Sequence, residues 1–210
     1  MKNNKSVFYS LLIILAVVYS PVQAQQKKGP PDVVYQLDVK KSKLLWIAPK
    51  NRHKGFILFN SGSISHFING RPTHGSFRIN MNIMRSTDET SVAKRKEVDD
   101  KLRSESFFAV SKYPVAIMVV NKMLPKPDGI TYNVYGELTI KDVTRPIEFT
   151  TIMKQNGSTI TATANMNISR SNWNISHQSE SKSWNLFGRL QDELIANDIP
   201  VSLELVFTKK

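Results

Sequence analysis

The feature that most constrains this chain is a repeated alternation of apolar and polar residues with a period of two. Phe77, Ile79, Met81 and Ile83 alternate with Ser76, Arg78, Asn80 and Asn82. Ile160, Ala162, Ala164, Met166 and Ile168 alternate with Thr and Asn, and Tyr132, Val134, Gly136, Leu138 and Ile140 do the same opposite Asn133, Glu137 and Thr139. Near the end Val201, Leu203, Leu205 and Phe207 follow one phase, with Val206 as a lapse. Successive side chains of a strand point to opposite faces, so this pattern means one buried face and one wet face. Parallel sheets, covered on both faces, read instead as continuous apolar runs, which are rare here. The expected strands are therefore antiparallel and lie near 33–39, 43–48, 54–61, 63–68, 74–84, 114–123, 131–141, 145–155, 158–169 and 200–208. The short early ones merge to give eight or nine. Ser61-Gly62, Asn69-Gly70, Pro127-Asp128-Gly129 and Asn156-Gly157 are read as the turns between them. Many antiparallel strands in one domain make a sandwich or a barrel.

One interruption is helical. Residues 86–102 open with Thr87-Asp88-Glu89-Thr90 and continue as a charged stretch in which Val98 and Leu102, four apart, share a face. The expectation is a surface helix packed by one edge. Within and around it, Asp100 is assigned to ordering the chain after the helix, and Asp192 to tethering Arg170.

The N-terminus has the three parts of a signal peptide: Lys2 and Lys5, an apolar run from Val7 to Tyr19, and Val22-Gln23-Ala24 after Pro21. The run is shorter than the ~20 residues that span a bilayer. We therefore divide the chain into a signal peptide at 1–24, a disordered leader at 25–33 and one β domain at 34–208, and expect a periplasmic or secreted protein. The chain has no Cys, which rules out thiol catalysis and a lipid-modified cysteine. Lys and Arg number 29 against 17 Asp and Glu, a formal net charge of +12, which favours anionic partners. Export sets nucleic acid aside.

Taken in order, a series of motifs becomes recognisable: Tyr35-Gln36-Leu37-Asp38 with Ser42 and Trp46; His53-Lys54-Gly55; Ser61-Gly62; Asp100-Lys101-Leu102-Arg103-Ser104 before Phe107-Phe108; Lys112-Tyr113-Pro114; Gly136-Glu137-Leu138-Thr139-Ile140-Lys141 running into Thr144-Arg145-Pro146; Arg170-Ser171-Asn172-Trp173; and Asp192-Glu193. The series resembles the YceI-like, or polyisoprenoid-binding, family from Tyr35 to Phe207. The resemblance implies an elongated antiparallel β-barrel of about eight strands, similar in shape to lipocalins. It also implies binding of a long isoprenoid or other amphiphilic lipid inside that barrel, in the periplasm of a Gram-negative bacterium. Two features depart from the family pattern: Asp142 stands where Gly is common, and 172–190 is longer and more polar.

The chemistry of sites adds little to a catalytic reading. No nucleophile elbow and no Gly-rich phosphate loop occurs. His53, His66, His74 and His177 lack a metal-ligand spacing, although His66 and His74 can meet across the Asn69-Gly70 hairpin. The chain is read as a binding protein without metal or cofactor. Two rival readings are a stress-related module with a filled barrel and an enzyme acting on isoprenoid lipids. The phase of the strands nominates Trp46, Phe56, Phe77, Ile79, Met118, Leu138, Phe149, Met166 and Leu205 as ligand-contacting wall residues. Lys40, Lys41, Lys43, Lys50, Arg52 and Lys54 have no Asp or Glu among them. Their hairpin, at 47–54, is expected to place positive charge at one mouth, with Lys50, Arg52 and Lys54 as head-group candidates and an anionic membrane surface as a second partner. Arg170 is a further head-group candidate. It ends a strand with a buried apolar face, and pairing with a carboxylate or with carbonyls is the alternative, favoured role. The oligomeric state stays open, a homodimer included.

Overall fold

The computed structural model describes residues 32–48, 53–175 and 198–210. The elements run β1 (Tyr35–Leu37), β2 (Lys43–Ile47), β3 (Lys54–Ile68), β4 (Arg71–Ser86), α1 (Val92–Arg103), β5 (Val115–Pro125), β6 (Thr131–Ile140), β7 (Val143–Asn156), β8 (Thr159–Ser169), a 3-10 turn (Arg170–Trp173) and β9 (Asp198–Lys209). Every pairing is antiparallel. The order β2-β9-β8-β7-β6-β5-β4-β3 returns from β3 to β2, so the sheet closes on itself. The short strands β1 and β2 both bridge β3 and β9, at opposite ends, and together occupy one position of an eight-position barrel. The ring is not paired along its whole height, since β7 and β8 pair only over Thr151–Asn156 and Thr159–Ala164.

Between them the chain steps out of the ladder. The Asp38 carboxylate accepts the Lys40 and Lys41 amides. The buried Ser42 hydroxyl accepts the Val206 N–H at 3.0 Å, and Asp38 N–H donates to Val206 O at 2.8 Å, so β9 keeps its bonds opposite the break.

Ser61-Gly62 is not a turn. β3 is one strand of 15 residues, and the pair sits beside a register shift between Phe59 and Ser61. Such a bulge bends a strand around a barrel. Gly62 is needed there for space, since a Cβ would come within 2.7 Å of the Phe77 ring. Lys141 and Asp142 both adopt positive φ, 51° and 60°, and join Ile140 to Val143 in a two-residue hairpin. The left-handed geometry thus survives without Gly, as Asp tolerates it better than most residues.

The helix starts later than expected. Ser91 is its N-cap, accepting the Lys94 amide. Thr87 and Asp88 are instead tied back to β3, through Thr87 N–H to Lys54 O at 2.8 Å and Lys54 N–H to Asp88 Oδ1 at 3.0 Å. Val98 and Leu102 are buried, as their spacing requires. The carboxylate that fastens the helix is Asp99, not Asp100. Buried Asp99 accepts the Ser86 N–H at 2.7 Å, whereas exposed Asp100 pairs with Lys96 and Arg103 on the helix surface. The i and i+4 geometry placed Asp99 on the packed side with Val98 and Leu102, while Asp100 turns to solvent.

Candidate functional site

The two ends of the barrel differ. One carries the tight hairpins at Asn69-Gly70 and Gly157 and the Pro125–Thr131 connection. The other gathers the end of β2, α1, Phe107 and Phe108, the Lys141-Asp142 turn and the 3-10 turn. A cavity of about 110 Å³ opens at this second end. Leu44 and Trp46 of β2, Ile57 and Phe59 of β3, Ile79, Met81 and Met84 of β4, and Val201, Leu203 and Leu205 of β9 line it, closed on one side by Leu102, Phe107 and Phe108. A smaller apolar space of about 30 Å³ lies deeper, between Phe77, Val134, Phe149 and Phe207. Met118, Leu203 and Leu205 border both.

Of the wall residues expected from phase, Trp46, Ile79, Leu138 and Met166 line the first space, Phe77 and Phe149 the deeper one, and Met118 and Leu205 both. Phe56 does not. Its neighbours Gly55 and Ile57 are buried, and Phe56 stands half-buried on the outer phase, opposite Leu45 and Arg85. Residues 54–59 carry apolar side chains on both phases, so alternation alone leaves the face undecided. Phe107 and Phe108 lie outside regular strands and had no periodicity to reveal them.

The basic cluster is more neutral than its composition implies. Lys43 pairs with Glu204 at 3.0 Å and Lys41 with Asp38 at 3.6 Å. Lys40 and Lys41 lie at the break between β1 and β2, along the wall and away from the mouth. Lys54 is exposed and is not part of the cavity wall. Lys50, Arg52 and Asp192 lie outside the described residues, as do residues 1–31, on which the expected signal peptide and most of the expected leader fall.

Arg170 is the one charged residue of the cavity wall among the described residues. It continues the inward phase of Ala162, Ala164, Met166 and Ile168 one step beyond β8. The turn that carries it is held rigidly. Trp173 is buried and its Nε1–H donates to Leu138 O at 2.9 Å. Ile175 N–H donates to Arg170 O at 3.0 Å, and Lys141 Nζ donates to Phe107 O and Asn174 O, both at 2.9 Å. The sequence offered no sign of this lysine tie, which depends on three segments meeting. Loss of hydration pulls the Arg170 guanidinium below its ordinary pKa. Asp192, the carboxylate expected to tether Arg170, lies outside the described residues; among the described residues nothing accepts from the Arg170 side chain, and its Nε is buried without a partner. Trp46 Nε1, also in the wall, is a second buried donor without an acceptor.

Beside the mouth, His53 Nδ1 and Asp88 Oδ2 are 2.8 Å apart, and Glu89 brings a third potential metal ligand within 4.8 Å. The pair locks the start of β3 to the segment before α1. Burial opposes ionisation of Asp88, but bonds from the Lys54 amide and from His53 outweigh it, so its pKa falls below the ordinary value. A carboxyl lowered in the folded state adds stability above its unfolded pKa of ~3.9 and loses it as pH falls through the folded value. Thermal melting should therefore show wild type more stable than Asp88→Asn at neutral pH, with the gap closing below about pH 4; a gap that persists in strong acid would refute this role. His66 and His74 do meet across their hairpin, with ring centroids 4.7 Å apart, but both are exposed.

The comparisons with known proteins agree with this geometry. A model of the YceI-like domain matches residues 35–207. In structure the chain is similar to Burkholderia cenocepacia BcnA, with TM-score 0.62 and 21% identity over 81% of this chain and 98% of that one. It is also similar to a polyisoprenoid binding domain from Saccharophagus degradans implicated in plant cell wall breakdown, with TM-score 0.58 and 16% identity over 84% and 98%. A UPF0312 protein of Pectobacterium atrosepticum is 35% identical over 71 residues, and the match spans 34% of that protein's length and 34% of this chain. With the family model covering nearly all of the barrel, this chain belongs to the YceI-like domain family.

Proposed function

We propose that this protein holds one long-chain isoprenoid or similar amphiphilic lipid inside its barrel, in the periplasm. The observation that carries the reading is the cavity: an apolar space, open at the α1 end, whose wall, Arg170 apart, is built from aliphatic, aromatic and Met side chains. Each methylene that leaves water for such a space contributes ~0.8 kcal/mol, so a long tail binds tightly without specific polar contacts. Met81, Met84, Met118 and Met166 suit a flexible ligand, because the unbranched thioether adapts to irregular shapes. The wall presents no carboxylate, His or hydroxyl among the described residues, which supports holding a ligand over converting one. The structural relative from Saccharophagus degradans, described as a polyisoprenoid binding domain, supports the same class of ligand.

The test is mass spectrometry of an organic extract of purified protein, followed by titration of delipidated protein with a prenyl alcohol. Trp46 lies in the wall and reports binding by fluorescence. A co-purified long-chain lipid and saturable uptake are expected. A lipid-free protein that takes up no prenyl alcohol would overturn the reading and leave a filled, ligand-free barrel. The N-terminal pattern supports export, and protein recovered from the periplasm should have the mass of a chain beginning at Gln25.

A further inference from the structure

We infer that the hairpin end of the barrel, opposite the cavity mouth, docks onto the surface of a bilayer that carries anionic lipid. The inference is independent of what the cavity holds. Of the eight large apolar side chains exposed among the described residues, five stand at this end: Val33, Ile68, Leu124, Ile130 and Ile152. Exposed apolar residues scattered singly carry no message, but gathered on one face among polar residues they mark an interaction surface. Hydrogen bonds and contacts join them into one face. Ile68, 64% exposed, ends β3 at the β3–β4 turn. A Cβ on Gly129 would lie 3.5 Å from the Arg71 guanidinium, so that turn touches the β5–β6 connection. Met153 N–H donates to Ile130 O at 2.7 Å, and Ile152 pairs with Thr131, which brings in the end of β7. Lys209 N–H donates to Ser158 O at 2.9 Å, Lys210 N–H to Val34 O at 3.2 Å, and His66 N–H to the Asp32 carboxylate at 3.1 Å, which leads back to β3.

The charge of this face has one sign. Arg71, Lys122, Lys126, Lys154, Lys209 and Lys210 are exposed, and none of them forms an ion pair with another described residue. Its two acidic side chains are engaged locally. Asp128 accepts the Ile130 and Thr131 amides at 3.0 and 2.8 Å, and Asp32 faces His66. The α1 end is different, because Asp99 and Asp100 there meet Arg85, Lys96 and Arg103. Free cations beside apolar tips match an anionic bilayer. The lysine stems lie along the head groups while the apolar tips enter the boundary with the acyl chains, and both terms add to the affinity. A protein partner fits less well, since the core of a protein interface is depleted of charge, whereas cations and apolar tips are interleaved here.

The experiment measures sedimentation of the full-length mature protein with vesicles of phosphatidylcholine alone or of phosphatidylcholine mixed equally with phosphatidylglycerol, at low and high salt. Wild type should bind the mixed vesicles, bind phosphatidylcholine at least roughly tenfold more weakly, and weaken as salt rises. Lys126→Gln with Lys154→Gln should lower binding to the mixed vesicles roughly ten- to thirtyfold at low salt, the effect of two cations near an anionic surface, and the ratio to wild type should shrink at high salt. Ile68→Ser with Ile130→Ser should lower it roughly tenfold, by a ratio that salt leaves unchanged. The same number of charges removed from the other end, by Lys94→Gln with Lys112→Gln, should keep binding within about twofold. These positions are all exposed, and circular dichroism confirms that each variant is folded. Wild type that ignores the mixed vesicles overturns the proposal and needs no variant to fold. A loss as large in the Lys94 and Lys112 variant would overturn it as well, showing diffuse charge in place of a docking face. So would a wild type that forms dimers split by the Ile68 and Ile130 changes and binds no vesicles, since the face would then join two copies of the chain.

Discussion

Met118→Trp is expected to leave the barrel closed and to stop the affinity for prenyl alcohols from rising with tail length. Met118 sits on β5, is 5% exposed, and borders both the large cavity and the deeper space beneath it. A tail that enters at the α1 end must pass it to reach Phe77 and Phe207. In wild type, each further methylene adds ~0.8 kcal/mol until the deeper space is full. An indole at 118 would fill the passage and strand everything beyond it in water. Losing one or two methylenes of burial amounts to roughly 1–2 kcal/mol, or about tenfold in affinity, for the longest tails, with little change for the shortest. Overpacking costs typically 1–3 kcal/mol, so the variant should melt a few degrees lower and remain folded. A dissociation constant measured against tail length checks this. A wild-type slope retained in folded Met118→Trp would show that the tail does not take this route.

Trp173→Ala should be the most destabilising single change at the site. Trp173 is 3% exposed, packs under the 3-10 turn and satisfies Leu138 O through its indole N–H. Truncating a buried Trp costs roughly 3–5 kcal/mol, or on the order of 10 °C in melting temperature for a domain of this size. The lost bond leaves the Leu138 carbonyl without that partner. Trp173→Phe should keep most of the packing and lose chiefly the bond, at ~1–3 kcal/mol. Circular dichroism melts of both variants decide the point; an Ala variant within a degree or two of wild type would show that the turn does not brace this end of the barrel.

Much of the wall was legible because period two reports which face is buried. Ile79, Leu138, Met166 and Leu205 each sit in long, clean alternations and each faces the interior. Phe56 shows the limit: Leu45 and Leu58 give the outer face its own apolar patch, so hydrophobicity there carried no phase. Ser61-Gly62 shows another. The dipeptide has the chemistry of a turn, yet a bulge in a strand that bends around a barrel uses the same residues, and only the partner strand decides between them. Asp99 and Asp100 are adjacent and chemically identical, and which one fastens the helix depended on where the helix met β4.

By itself, then, the sequence determined that the strands are antiparallel, that they form one domain, and which face of most of them is buried, because these follow from local alternation and turn chemistry. Whether that buried face was packed solid or enclosed a space was decided only by the tertiary structure. Alternation records that side chains leave water, not what they meet when they do. The closing of β2 and β3 into one ring and the gap between opposite walls are relations between residues far apart in the chain, and no local pattern encodes them.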